Sequence, residues 1–414
     1  MRLRGFKGFA SSFAIVAAAM IFCQATYGQR AFTVLPPSST EGGDPIAFVR
    51  PHYILHTRAS GDNLAAPPTT ALVPAKIRHA YGFDQIANQG AGQVIGIVDA
   101  YDDAKAEADL GVFSKEFGLV ACTTANGCFH KVFSNGKQPA ANANWAVEIS
   151  LDIQWAHAVA PQAKIVLVET PSNNLSDLIS GVDVAVRNGA SEVSMSWTTA
   201  EFKGEKNLDN HFVSNGTTFF AASGDTGTGV AYPAASPFVI GVGGTSLTLD
   251  SNGNYVSETA WSGSGGGESA VENEPLFQEQ FAIPNDSRGT RGVPDVSFNA
   301  DPGTGYAVYD SVGISGVAGW FQVGGTSAAS PQWAALVAVA NSSRVAARKA
   351  NLGSAGSVLY TLAKANLATD FHAVTKGSNG TCGTLCTAST GYDFVTGLGT
   401  PQAKVLVAAL VARP

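Results

Sequence analysis

The amino-acid sequence predicts an α/β fold, in which a doubly wound, mostly parallel sheet is flanked by helices. Three observations indicate this class. From about residue 76, short β-branched runs alternate with helix-like segments. Several of the runs are apolar on both faces, as buried parallel strands are. Acidic and aromatic residues stand at the ends of the runs, where binding sites form in such sheets.

The predicted elements follow one another as strand, helix, strand. The strand candidates are Gln93–Ala100, Lys164–Glu169, Glu192–Trp197, Thr217–Ser223 and Phe238–Val242. The helix candidates between them are Ala104–Phe117, Trp145–Ala158 and Leu175–Asn188. No internal repeat is visible, so we predict one domain over residues 76–414.

The N-terminal part divides into two segments. Residues 1–28 are predicted to be a signal peptide, because a basic start is followed by the apolar run 13–22 and by small residues. The apolar run is too short to span a membrane. Residues 29–75 are rich in Pro, Ser, Thr and Gly, and we expect a short leader or loosely packed arm. The protein is therefore expected to be secreted, either outside the cell or into a periplasm.

Composition excludes some partners. Of 414 residues 45% are hydrophobic, the formal net charge is -7, and no basic run suggests a nucleic-acid partner. We expect no membrane association after signal removal, and a monomer.

Four cysteines follow the signal segment, which suits an oxidising compartment. Three pairings are possible, and the two close pairs, Cys122–Cys128 and Cys382–Cys386, are the simplest.

Ser327 is the candidate nucleophile. It follows a glycine pair and an apolar strand, and it precedes a long Ala/Val-rich stretch. This pattern places it at the start of a helix, where backbone N–H groups and the helix dipole favour developing negative charge. An ordinary serine cap would have the same position. As a nucleophile, the hydroxyl needs a base nearby.

Two carboxylates are candidates for that base. Glu148 and Asp152 lie at i and i+4 on the helix candidate Trp145–Ala158, and therefore on one face. A solvated surface pair is the alternative, but the aromatic and aliphatic neighbours indicate a buried helix. Two close carboxylates in a poorly solvated site share a proton readily, with one pKa raised. His157 lies nearby, between two alanines, and we expect a packed or surface histidine rather than a base.

Asp225 is the fourth candidate. It follows an apolar strand in Ser223-Gly224-Asp225, a position from which a protonated carboxyl can donate to an oxyanion. An ordinary Asp-Gly turn is the alternative. Asp99 also ends a strand, and Trp197 stands at the end of another.

These segments resemble the sedolisin family. Gly325-Thr326-Ser327-Ala328 with Pro331 is similar to the signature around the nucleophile of subtilisin-like and sedolisin peptidases. The Glu148-x-x-x-Asp152 helix, followed by Ala160-Pro161-Gln162-Ala163-Lys164, resembles the catalytic helix of sedolisins. The similarity covers roughly residues 76 to 411.

The resemblance implies a subtilisin-like fold and a secreted, acid-acting serine endopeptidase that cleaves peptide bonds of proteins or peptides through an acyl-enzyme. It implies Ser327 as nucleophile, Glu148 as general base, Asp152 as its orienting partner and Asp225 as oxyanion donor. Asp99 would be a supporting acidic residue.

The sequence departs from the family at two places. Ala373 stands where sedolisins have a calcium-ligating aspartate, although Asp393 keeps the second one. One carboxylate with carbonyls is a poor calcium cage, so calcium is doubtful and no cofactor or metal is predicted. The segment 29–75 is also shorter than the folded propeptide of the family, and self-processing by such a propeptide is doubtful.

Two alternatives stay open. A subtilisin-like peptidase would use Asp99, an unrecognised histidine and Ser327. A catalytically inactive, secreted binding protein could have the same scaffold.

Overall fold

A mostly parallel β-sheet lies at the centre of the chain, whose computed structural model describes residues 50–51, 53–56, 65–314 and 316–414. The strands are β1 (Arg50–Pro51), β2 (Ile54–His56), β3 (Val94–Ala100), β4 (Phe129–Phe133), β5 (Lys164–Thr170), β6 (Glu192–Met195), β7 (Trp197–Ala200), β8 (Thr218–Ala222), β9 (Ala231–Tyr232), β10 (Val239–Leu249), β11 (Tyr255–Ala260), β12 (Gly267–Asn273), β13 (Thr290–Val293), β14 (Val296–Asn299), β15 (Tyr306–Ile314), β16 (Val317–Gly324), β17 (Phe371–His372) and β18 (Thr400–Pro401). The helices are α1 (Pro74–Tyr81), α2 (Ala106–Glu116), α3 (Ala143–Val159), α4 (Leu175–Arg187), α5 (Leu276–Phe281), α6 (Thr326–Ala346), α7 (Gly356–Asp370) and α8 (Ala403–Ala412).

The central sheet has eight strands. Its order is β11-β10-β8-β6-β3-β5-β4, and β14 also pairs with β10. Only β11 is antiparallel to its neighbour within this sheet. The predicted fold class, a mostly parallel sheet with helices on both faces, is therefore confirmed.

The strands of the sheet place apolar side chains on both faces. Alternate residues of a strand point to opposite faces, and the two hydrophobic clusters divide β3 and β5 in this way. The cluster with α3 and α6 contains Ile95, Ile97, Ile165 and Leu167, and the cluster with α4 contains Val98, Val166 and Val168. The β-branched runs are apolar throughout because helices cover both faces of the sheet at these strands.

Helix α3 lies inside the molecule. It contacts β3, α2 and α6, and it also contacts β15 of the β15–β16 hairpin. The indole of Trp155 donates to the carbonyl of Ala307 at 3.0 Å, and Gln154 exchanges two hydrogen bonds with the backbone of Tyr309. Every residue from Trp145 to Val159 is buried. Polar side chains on this helix are therefore removed from water.

Most predicted elements match the observed ones within two residues at each end. The predicted strand Glu192–Trp197 is an exception, because it divides into β6 and β7 around Ser196. β6 stays in the central sheet, whereas β7 pairs with β1 and β9 in a separate small sheet. The predicted strand Phe238–Val242 continues to Leu249, since β11 and β14 pair with its second half.

The described residues of the predicted arm, 50–51, 53–56 and 65–75, pack against the rest of the described chain. β1 pairs with β7, β2 pairs with β16, and the side chains of Tyr53 and Leu55 are buried. Helix α1 starts at Pro74, so the packed structure begins before residue 76. The predicted signal peptide, residues 1–28, lies outside the described residues.

Two disulfides brace surface loops. They join Cys122 to Cys128 and Cys382 to Cys386, and both predicted close pairs are confirmed. Among the described residues, none of the helices combines the length and the apolar character that crossing a membrane requires.

Candidate active site

Ser327 lies at a sharp turn between β16 and α6. Gly325 has a φ of 115°, a backbone conformation that glycine adopts without a Cβ clash. Helix α6 begins at Thr326, so Ser327 is its second residue, as the sequence predicts. The Ser327 hydroxyl is fully buried and donates to the carbonyl of Ser196 at 3.2 Å. Its position in the first turn exposes it to the positive end of the helix dipole.

Glu148 and Asp152 lie on the same face of α3, and both are fully buried. An interaction with the Ser327 hydroxyl lowers the pKa of Glu148, which shows that the base candidate and the nucleophile candidate are neighbours. The lowering of the Glu148 pKa by Ser327 is smaller than the effects that raise this pKa. Burial, and after it the nearby carboxyls of Asp152 and Asp99, raise the pKa of Glu148 well above its usual range.

Ser196 connects Asp152 to the Ser327 turn. Its hydroxyl oxygen lies 2.9 Å from Oδ1 of Asp152 and 3.2 Å from the carbonyl oxygen of Ser327. The sequence analysis did not propose a role for Ser196. Ser196 lies directly before Trp197, inside a predicted strand, and nothing in the neighbouring residues indicates a role for it. The break between β6 and β7 at this residue depends on the pairing of β7 with β1 and β9, which are distant in sequence.

Three carboxyls share this buried region. Asp99, at the end of β3, is fully buried, and burial raises its pKa to about 8. Asp152 has a raised pKa because of burial and of the Asp99 charge, while its bond from Ser196 acts in the opposite direction. Like charges this close cannot all ionise, so the group of Asp99, Glu148 and Asp152 retains protons at neutral pH.

Asp225 lies on the loop after β8, on the other side of the Ser327 turn. The preceding Gly224 has a φ of 113° and donates its N–H to the hydroxyl oxygen of Thr326 at 3.1 Å. Oδ1 of Asp225 accepts hydrogen bonds from the N–H and the hydroxyl of Thr326, at 2.8 and 2.7 Å. Oδ2 is buried and makes no hydrogen bond with a described residue. Burial raises the pKa of Asp225 to about 7, against the effect of these bonds.

Trp197 and the histidines take other positions. The Trp197 indole donates to the backbone carbonyl of Val98 at 2.8 Å rather than to the Asp99 carboxyl. His157 is fully buried, and its Nε2 atom lies 2.7 Å from the carbonyl oxygen of Val120. Burial lowers the pKa of His157. Of the packed and surface positions that the sequence analysis left open, His157 therefore has the packed one.

Tyr53 is a site residue that the sequence analysis missed. It is 3% exposed, and burial followed by the charge of Glu148 raises its pKa well above its usual range. Pro51 pairs with Trp197, and Ile54 pairs with Gly324. These two pairings place Pro51 next to the strand after Ser196 and Ile54 next to the strand before Ser327, with Tyr53 near Glu148.

The residues near the C-terminus do not fit a calcium ion. Oδ1 of Asp393 accepts from the N–H groups of Val395 and Thr396 at 2.9 and 2.8 Å, and Oδ2 accepts from Ser389 at 3.1 Å. Both oxygens thus cap a turn, and Ala373 is exposed and brings no oxygen ligand in its side chain. Calcium prefers six to eight oxygens, several of them carboxylate.

Comparisons with known proteins find related peptidases. A model described as the subtilase family matches residues 136–365. Kumamolisin from Bacillus sp. (strain MN-32) is 32% identical over 413 residues, which cover 89% of this chain and 70% of kumamolisin. Sedolisin from Pseudomonas sp. (strain 101) is 27% identical over 397 residues, which cover 87% of this chain and 65% of sedolisin.

A solved structure supports the same relationship. Pseudomonas sedolisin, a serine-carboxyl proteinase complexed with two molecules of pseudo-iodotyrostatin, matches with a TM-score of 0.70 at 26% identity. The match covers 82% of this chain and 97% of that one. With the fold, the family model and the relatives in agreement, the chain belongs to the sedolisin family of serine-carboxyl peptidases.

Proposed function

We propose that this chain is a secreted serine endopeptidase that works in acid and cleaves peptide bonds through an acyl-enzyme. The observation that carries the proposal is the pair of links from α3 to the Ser327 turn. Glu148 interacts with the Ser327 hydroxyl, and Asp152 is joined to the Ser327 backbone through Ser196. A buried serine between two buried carboxyls has little structural purpose, because unpaired acidic groups destabilise an interior.

In the proposed first step, the Ser327 oxygen attacks the carbonyl carbon of the substrate while Glu148 accepts the hydroxyl proton. Asp152, held by Ser196, orients Glu148 and shares its proton. The carbonyl oxygen becomes negative. Asp225, protonated on its unbonded Oδ2, donates to that oxygen together with the N–H of Ser327.

In the second half, Glu148 returns the proton to the departing amine, and the acyl group remains on Ser327. Water then attacks the acyl carbon while Glu148 accepts its proton. Glu148 gives this proton to the Ser327 oxygen as the bond from that oxygen to the acyl carbon breaks, and the carboxylic acid leaves. The same two carboxyls serve both halves, so the site has to hold one transferable proton throughout. The raised pKa values around Asp99, Glu148 and Asp152 support this requirement.

An extended polypeptide is the substrate that the strands beside the Ser327 turn suit best. The chain's own β1 and β2 already make two short antiparallel pairings there, β1 with β7 and β2 with β16. Backbone pairing of this kind accepts many sequences, because it does not depend on side chains. Secretion is part of the proposal, and two disulfides together with the N-terminal sequence pattern support it.

The test uses a denatured protein substrate between pH 3 and 8, with Ser327→Ala as the control. Replacement of a covalent nucleophile should lower kcat by several orders of magnitude and leave thermal stability nearly unchanged. A fluorophosphonate probe at acidic pH should label the wild type and not the variant. Ser327→Ala with a tenth of wild-type activity would exclude the assignment, and a wild type without activity or labelling would favour a binding protein.

A further inference from the structure

A second cluster of reactive side chains lies at the far end of α3, away from the proposed chemistry. The sulfur atoms of Cys122 and Cys128 and a ring nitrogen of His157 all lie within 4.8 Å of one another. His157 is fully buried and Cys122 is 1% exposed, whereas Cys128 is partly exposed at the edge of its loop. Solvent can therefore approach the cluster from the Cys128 side.

The hydrogen bond of His157 fixes which nitrogen is available. Nε2 lies 2.7 Å from the carbonyl oxygen of Val120, and a carbonyl can only accept. Nε2 therefore carries the proton, and Nδ1 carries a lone pair. Nδ1 is buried and has no hydrogen-bond partner among the described residues. A histidine whose other ring N–H donates to a backbone carbonyl is the usual form of a metal-ligating imidazole.

The cysteines are joined as a disulfide in the structure, and the loop around them does not depend on that bond alone. The carbonyl of Thr123 accepts from the N–H groups of Cys128 and Phe129 at 3.1 and 3.2 Å. The Asn126 side chain accepts from the N–H of Thr123 at 3.1 Å and from that of Cys128 at 3.0 Å. These bonds should keep the two thiols close to each other after reduction.

The spacing of the three donor atoms suits zinc. Zinc bonds are about 2.3 Å to sulfur and about 2.0–2.1 Å to nitrogen, so donors around a tetrahedral ion are roughly 3.5–3.8 Å apart. The two sulfurs and a ring nitrogen of His157 lie within 4.8 Å of one another, about 1 Å beyond that spacing, so rotation of the side chains is needed to bring Nδ1 and both sulfurs to it. Two thiolates and an imidazole form a donor set that zinc prefers over calcium or magnesium.

We infer that reduction of the Cys122–Cys128 disulfide creates a zinc site formed by Cys122, Cys128 and His157, with a fourth position open to water on the Cys128 side. A dithiol reductant supplies two electrons and two protons, which convert the disulfide to two thiols. Zn²⁺ then displaces two thiol protons and binds both sulfurs and Nδ1. The disulfide form and the zinc form exclude each other, and the site is independent of the peptidase proposal.

The experiment uses the full chain with Ser327→Ala, which prevents self-digestion. The protein is reduced with dithiothreitol, desalted without oxygen and titrated with Co²⁺ as a spectroscopic probe, then with Zn²⁺. We expect about one Co²⁺ per chain, with sulfur-to-cobalt charge-transfer bands and tetrahedral d–d bands. Zn²⁺ should remove these bands and release about two protons. The oxidised chain should bind neither ion.

Matched variants locate the ligands. Cys382→Ser with Cys386→Ser removes the other dithiol and should leave the titration unchanged. Cys128→Ser, in the surface loop, should abolish the charge-transfer bands. His157→Gln keeps a donor for the Val120 carbonyl but lacks Nδ1, and it should weaken Zn²⁺ binding by about tenfold or more.

Three results would overturn the inference. The reduced chain could bind no Co²⁺, the binding could depend on Cys382 and Cys386, or His157→Gln could keep full affinity. The thermal unfolding of each oxidised variant is measured alongside, so that loss of binding is not confused with loss of folding. If His157→Gln does not fold, Cys128→Ser decides the outcome.

Discussion

Oδ1 of Asp225 accepts a hydrogen bond of 2.8 Å from the N–H of Thr326, the residue directly before Ser327. The hydroxyl of Thr326 donates to the same oxygen. One carboxyl oxygen is thus held by the turn that carries the serine, and the other remains for a proton. These two hydrogen bonds fix the orientation of the Asp225 carboxyl relative to Ser327. The protonation state of Asp225 should therefore be detectable in the pH dependence of activity.

The pH dependence of activity should report that proton. The pKa of Asp225 is raised to about 7, so the carboxyl donates below that pH and loses its proton above it. We expect kcat/KM to fall as pH rises through about 7, and to fall in stronger acid as Glu148 becomes protonated. Asp225→Asn keeps a donor that does not titrate, so its upper limb should move toward alkaline pH. A wild-type optimum at pH 8 would contradict this assignment.

Glu148→Gln should remove the proposed general base and keep the shape of its side chain. General acid–base catalysis contributes about 10²–10⁴-fold, so kcat should fall by that factor at every pH with KM little changed. His157→Gln is the control and should retain activity, because His157 is bonded to Val120. Kinetics on a quenched peptide measure both. An active Glu148→Gln together with an inactive His157→Gln would favour a histidine base.

Thermal stability should be greatest in acid. Glu192 is fully buried, accepts from Ser191 and Asn341, and has its pKa raised by burial to about 8. The folded state thus holds this proton more tightly than the unfolded state, where the pKa is about 4.3. The contribution of the Glu192 proton to the free energy of unfolding is fully present below about pH 4. It is lost as pH rises through about 8.

Calorimetry between pH 4 and 8 checks this expectation. Glu192→Gln mimics the protonated acid and should make the fall in Tm shallower, whereas the exposed Glu116→Gln should leave it unchanged. Equal slopes in Glu192→Gln and the wild type would show that other groups control the pH dependence.

Chelation should have little effect on Tm. An ion bound at about 100 times its Kd adds about 2.7 kcal/mol, and in a chain of this length its loss would lower Tm by about 3–4 °C. We expect no such drop with EDTA, because the Asp393 oxygens are engaged by backbone donors and Ala373 has no ligand atom. A drop of that size, reversed by calcium, would show that other oxygens complete a site.

The N-terminal strands should be the first peptide that the enzyme cleaves. Pro51 pairs with Trp197, the residue after Ser196, and Ile54 pairs with Gly324 in the strand before Ser327. Incubation in acid should produce a cut near residues 50–56, at a rate independent of protein concentration, and activity should rise as the cut proceeds. N-terminal sequencing locates the cut. Ser327→Ala should stay intact, and cleavage in that variant would point to another protease.

The sequence was sufficient for features whose causes are local. The α/β alternation, the turn at Ser327, the i, i+4 spacing of Glu148 and Asp152, and the strand end before Asp225 all depend on residues near one another in the chain. The two disulfides also link cysteines that are only 6 and 4 residues apart. Short loops close at little entropic cost, so such pairings can be anticipated.

The tertiary structure determined the environment of those residues. β15 covers α3 from more than a hundred residues away in sequence, as the bond from Trp155 to Ala307 shows, and this removes Glu148 and Asp152 from water. Ser196 reaches Asp152 only because β7 leaves the central sheet. Tyr53 enters the site through two strand pairings that no local pattern encodes. The raised carboxyl pKa values arise from burial, and burial depends on contacts between segments that are distant in sequence.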